Sequence, residues 1–174
     1  MMATPAQWAR GYARQAHADF GAWQAIEGYE DVHPCHRMLF LQMACEKLCK
    51  ARLILGGTPP EALRRSHGYV ANPLPVVIRA QLEFMGENLR ARAGLLNFTR
   101  HLAAEIEVMN PAVDRNGQRP DNCEYPWEDV QQVLHSPLDW QFNPLQFLRD
   151  RFGPSFVKVL QLVIDRALQE PQEQ

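Results

Sequence analysis

Apolar residues along this chain recur at steps of three and four, and the elements they predict are helices. Thr4-Pro5-Ala6-Gln7 opens the first: Thr4 caps it, Pro5 suits its first turn and Gln7 completes a capping box. Trp8, Tyr12, Ala16, Phe20, Trp23 and Ile26 then form one stripe that stops near Gly28. Pro34 opens a second helix, on which Met38, Leu41, Ala44, Cys45, Leu48 and Ala51 keep the period to Leu55, before Gly56-Gly57 stops it. Thr58-Pro59-Pro60-Glu61 reads as another capping box, starting a short helix that ends near Gly68. Further helices are predicted over 76–84 and 89–109, with a break around Gly86. A short one over 143–152 precedes the last, which starts at Pro154-Ser155 and buries Phe156, Val159, Leu160, Val163 and Leu168. The pattern shows no strand alternation, and residues 170–174 read as a frayed tail.

Between these helices the period is lost. Pro111, Gly117, Pro120 and Pro126 with alternating charges mark 110–126 as an exposed loop, and loops of that length inside compact domains are often functional. The irregular stretch continues to Pro144, with Trp127, Trp140 and Phe142 expected to pin it to the helices. The expected fold is therefore all-α, one domain over 1–174 with four long helices and short accessory ones. Its parts are a core over 5–110, an irregular insertion over 110–144 and C-terminal helices over 144–168.

Composition adds bounds. With 174 residues, 46% hydrophobic and 22% charged, the chain can bury a core without metal or disulfide staples. A formal net charge of −2 supplies no global field toward nucleic acid or anionic membrane, though a local basic patch stays open. No apolar run approaches the ~20 residues of a membrane span, and the N-terminus lacks the layout of a signal peptide. Cys45 and Cys49 lie one helical turn apart, a poor disulfide geometry, so Cys35, Cys45, Cys49 and Cys123 read as reduced thiols of a cytoplasmic protein.

On the second helix, Gln42, Glu46 and Lys50 are spaced by four and share a face, with Glu46 and Lys50 in the favourable order for an ion pair. The run His36 to Ala51, containing Gln42, Ala44, Glu46, Lys47, Lys50 and Ala51, resembles the second helix of HEPN domains, Q-x-A-x-E-K-x-x-K-A. The segment Leu63-Arg64-Arg65-Ser66-His67-Gly68-Tyr69 resembles the Thr/Ser-His stretch that follows that helix in the family. The first helix, with Ala18-Asp19-Phe20, also fits, and the resemblance covers roughly 5–110. It implies a helical bundle, commonly dimeric. Many HEPN domains are metal-independent ribonucleases or toxins, and others are inactive partners of nucleotidyltransferases. The expectation is thus an RNA- or nucleotide-associated protein of a prokaryotic defence or toxin–antitoxin type, without robust nuclease activity. A protein-interaction module and a metal-independent endoribonuclease are the alternatives.

Active members of that family share an Arg-x(4–6)-His motif, in which His moves a proton and Arg stabilises charge on the phosphate. Arg10 and His17 match it on the first helix, seven positions or about two turns apart. The bland reading of the pair is a solvated helix face. On the later helix Arg100 and His101 lie near the family's usual place but, being adjacent, about 100° apart around the helix; Arg90, Asn97 and His101 offer a polar stripe for RNA, with Arg100 a further candidate contact. In the long loop, Arg115 and Arg119 can grip a phosphate while Tyr125 or Trp127 stacks a base; equally, Trp127 can simply anchor the loop. The His33, Cys35, His36, Cys45 and Cys49 spacings match no zinc finger, and no Gly-rich phosphate loop is present, so neither metal nor cofactor is expected.

Overall fold

The computed structural model describes residues 3–113 and 119–169. Arg115, expected to contact phosphate, and the tail over 170–174 lie outside the described residues. Helix α1 spans Pro5–Glu27, α2 Pro34–Leu55, α3 Pro60–Leu63, α4 Pro73–Phe84, α5 Ala93–Val108, α6 Asn143–Phe147 and α7 Gly153–Gln169. Among the described residues the fold is mostly helical, with one two-stranded hairpin.

The capping box of α1 forms as the sequence predicts. Gln7 N–H donates to Thr4 Oγ1 at 3.2 Å, and Thr4 N–H donates to Gln7 Oε1 at 2.8 Å. After a short turn, α2 folds back along α1 and also touches α4, α5 and α7. Being central, it buries residues all round its axis, including Met38, Leu41, Cys45, Leu48 and Ile54. Phe20 of α1, Ile78 of α4, Ile106 of α5 and Phe156 of α7 complete one continuous core.

Five boundaries differ from the periodicity, most of them for a local reason. Helix α3 starts after Pro59 with no side-chain cap, because Thr58 N–H donates to Leu53 O at 2.9 Å and belongs to the end of α2. It stops at Leu63 rather than near Gly68. Helix α4 begins at Pro73, not Val76: both Pro73 and Pro75 fall in the first turn, where the missing N–H groups have no helical partner to lose. It ends at Phe84, two residues before Gly86, whose φ of +72° suits glycine. Helix α5 starts at Ala93 instead of Leu89, because Asn88 Oδ1 accepts from Arg90 N–H at 2.9 Å and folds 88–92 into a turn. Helix α6 ends at Phe147, short of Phe152. At Gly153 the backbone passes so close to Leu148 O that a Cβ there would overlap it.

The hairpin was not visible in the sequence. Strand β1, Trp127–Glu128, pairs antiparallel with β2, Leu134–His135, in the register Trp127 to His135 and Glu128 to Leu134. Two residues per strand are too few to show a period of two. Asp129 builds the turn, its Oδ1 accepting from Gln131 N–H at 2.8 Å and Val133 N–H at 3.0 Å.

Candidate functional site

Gln42, Glu46 and Lys50 share a face of α2, and that face is buried: the three residues are 0%, 6% and 3% exposed. Burying ions is costly unless they are paired and hydrogen-bonded, so the partners decide what the site is. Lys50 Nζ lies 2.6 Å from Glu46 Oε1. Gln42 Nε2 donates to Glu46 Oε2 at 2.8 Å, and Asn110 Nδ2, at the end of α5, reaches the same oxygen at 3.4 Å. Beside them Glu107 accepts from the backbone N–H groups of Val70 and Ala71 at 2.9 and 2.8 Å, tying the loop after α3 onto α5.

That loop delivers His67. Its Nδ1 lies 3.0 Å from Glu46 Oε1, while the side chain stays 36% exposed. With Nδ1–H donated to the carboxylate, Nε2 is the nitrogen left for solvent or a ligand. A buried carboxylate holding one imidazole nitrogen fixes ring orientation and tautomer, the geometry a proton-moving histidine needs. Glu124 stands within electrostatic reach of both groups; desolvation raises its carboxyl above the ordinary range, His67 lowers it and Glu46 raises it further.

Around His67 the surface is basic and aromatic. Arg64 and Arg65 are exposed, and the Arg64 guanidinium lies 5.3 Å from the Trp8 ring centroid. Trp8, Tyr12 and Tyr69 are half-buried over a small cluster of Ala9, Ile54 and Leu63. Trp8 and Tyr12 also line an open groove of about 450 Å³ along α1. Lys50 Nζ lies 5.9 Å from the Tyr12 ring centroid, linking this aromatic face to the buried network.

Comparison of the chain with family models, with curated proteins and with solved structures finds no match.

The residues singled out from sequence are scattered. Arg10 is exposed on α1, and His17 Nε2 sits 3.9 Å from Asp165 Oδ1 of α7. Arg90 falls in the turn before α5, so it does not share a helical stripe with Asn97 and His101. Arg100 Nη1 donates to Asn97 Oδ1 at 2.6 Å, and His101 is exposed. The expectation that Arg119 grips a phosphate meets a physical obstacle: Arg119 already contacts Glu105 at 3.1 Å and Asp121 at 3.0 Å, and both carboxylates raise its pKa, Asp121 first. Tyr125 is 60% exposed. Trp127 is 8% exposed, stacks on His135 at 5.9 Å and meets Trp140 edge-on at 5.2 Å, so it anchors the hairpin rather than presenting an open face to a base. His67, Glu46 and Lys50 stood out in the sequence only as parts of a pattern, not as a site. The available signal was that two family-like segments each carried a charged or titratable residue.

The cysteines belong to the core. Cys35, Cys45, Cys49 and Cys123 are free and buried. Burial pushes the Cys45 and Cys123 thiols up to about 12, and burial with the nearby Cys45, Glu107 and Glu46 raises Cys49 well above the usual thiol range. A raised thiol pKa leaves the group protonated at neutral pH, and only the thiolate reacts. Native protein at pH 8 is therefore expected to show no fast reaction with a chromogenic disulfide reagent, and four thiols once guanidinium is added. Fast reaction of even one thiol in the native state would contradict this burial. Among the described residues no three His, Cys, Asp or Glu side chains converge on a point that could hold a metal ion. No described helix is long and apolar enough to cross a membrane.

Proposed function

We propose that this chain is a HEPN-like helical bundle that associates with RNA or a nucleotide through the surface around His67, without robust nuclease activity. One observation carries the reading. The two segments that resemble the family, on α2 and after α3, meet through His67 Nδ1 and Glu46 Oε1 at 3.0 Å. Exposed Arg64 and Arg65 flank that meeting point, with Trp8, Tyr12 and Tyr69 beside it. Arginine supplies charge for phosphate, and aromatic rings supply faces for bases. Arg10 and His17 belong to the same reading as the family's expected motif, with His17 Nε2 3.9 Å from Asp165 Oδ1.

The test is to incubate purified protein with structured and single-stranded RNAs in EDTA, scoring both retention and cleavage. Retention without cleavage is expected, weakening with salt. In R64A/R65A the salt slope should fall by about 2, roughly one for each phosphate that is no longer neutralised. Cleavage that needs Arg10 and His17 would make the protein a metal-independent ribonuclease instead.

A second reading, a protein-interaction module, is favoured by the hairpin. Val130, Leu134 and Leu138 are 85%, 70% and 58% exposed on one short stretch of chain. Exposed apolar residues close together mark contact surfaces. A homodimer, or a nucleotidyltransferase-type partner as the family resemblance suggests, would use such a surface. Absence of both RNA retention and cleavage would favour this reading.

A further inference from the structure

The hairpin and α6 close over the side of α5 and leave a cavity of about 380 Å³. That volume falls within the ~300–1,000 Å³ of small-molecule sites. Its wall includes three rings: Trp140 stands nearly perpendicular to Trp127, at 83° and 5.2 Å, and to His135, at 70° and 5.2 Å. Trp140 is half-buried, so part of its indole stays open to the cavity.

Among the described residues, the titratable groups facing the cavity are Glu105, Asp121, Asp129, Arg119 and His135. Three carboxylates against one guanidinium leave an excess of negative charge, whether or not His135 carries a proton. Arg119 does not reverse that sign. Its Nε and Nη2 donate to Asp121 at 3.0 and 3.3 Å, and its Nη2 and Nη1 donate to Glu105 at 3.1 and 3.4 Å. An anion would have to displace two carboxylates from a guanidinium they already neutralise. Asp129 is likewise held, its Oδ2 2.9 Å from His135 Nε2. These carboxylates supply field more than open lone pairs, which suits a diffuse organic cation better than a small hard metal ion.

We propose that this cavity binds a small organic cation carrying an alkylammonium group, seated against Trp140 and within the field of Glu105, Asp121 and Asp129. The aromatic wall attracts the charge through the ring quadrupole and accepts the alkyl carbons as apolar neighbours. The carboxylates reject anions of the same size. The inference does not depend on RNA association, which uses the opposite charge at a different surface.

The test uses the full chain labelled with ¹⁵N, following the indole N–H resonances of Trp127 and Trp140 while tetramethylammonium chloride is added. Sodium chloride at equal ionic strength is the control for salt, and AMP is the anionic probe. Saturable shifts with tetramethylammonium alone are expected. W140L should weaken binding roughly tenfold. E105Q should weaken it severalfold while Asp121 still holds Arg119. Thermal melts identify any variant that fails to fold; E105Q removes no packing, so it keeps the test decisive if W140L unfolds. Saturable shifts with AMP but not tetramethylammonium would overturn the proposal. So would the absence of any saturable shift, or shifts unchanged in folded E105Q.

Discussion

Replacing Glu46 with alanine is expected to destabilise the fold by about 3–5 kcal/mol, the range for breaking a buried ion pair from one side. The loss reaches several groups at once. Lys50, its side chain 4% exposed, keeps a charge with its nearest carboxylate gone, and Gln42 and Asn110 each lose an acceptor. Buried polar groups left without partners add their desolvation cost. The measurement is urea unfolding followed by circular dichroism, with the midpoint falling at an unchanged slope. A double change, E46L/K50M, is expected to regain the part of the loss that comes from the unpaired Lys50 charge, because apolar residues often replace a buried pair at little cost, while Gln42 and Asn110 still lack their acceptor. A single variant losing under about 1 kcal/mol would show the network to be solvated in solution. His67 adds a second readout: the chemical shift of its imidazole should move in E46A even if stability barely changes, since Nδ1 loses its carboxylate.

Phe156→Ala is expected to cost a similar amount, about 3–5 kcal/mol, for a different reason. The ring is fully buried on α7 and meets Phe98 of α5 at 6.0 Å; Phe98 in turn lies 6.1 Å from Phe152. Removing it opens a cavity where α5 and α7 pack. The packing there is tight, since a Cβ added at Gly94 would overlap the Phe152 ring. Surroundings this close-packed relax only partly into a void, which is why the cost exceeds the transfer energy of the ring. The same unfolding measurement checks it. A loss under about 1 kcal/mol would mean that α7 can shift to fill the space. The two losses should add in the double variant if the sites are independent, and a shortfall would show coupling through α5.

Local signals carried the helices. Thr4 and Gln7 cap α1 because a capping box needs only four consecutive residues. The stripes of α1 and α7 were readable because each helix is buried on one side, so its period survives in the sequence. Boundaries failed where a side chain outside the period took over the backbone, as Asn88 does before α5. The hairpin failed because strands of two residues carry no period, and its turn depends on Asp129 folding back on Gln131 and Val133.

The candidate site divides along the same line. From sequence, Gln42, Glu46 and Lys50 were a stripe on one helix face, and His67 was a residue in a recognisable segment. Local spacing places three residues on a face but does not say what covers it. The tertiary structure decided that this face points inward, because α2 is central and its polar side is closed by the loop after α3 and the end of α5. His67 reaches Glu46 across 21 residues of sequence, and Asn110 does so across 64. Arg119 shows the converse: its charge was legible, but its two carboxylate partners, one of them 14 residues away on α5, were not. The helix periods of α1 and α7 and the capping box of α1 are short-range properties of the chain and were determined by it alone. Which charges are buried, paired or left facing a ligand follows from packing between distant segments, and only the folded structure fixes that.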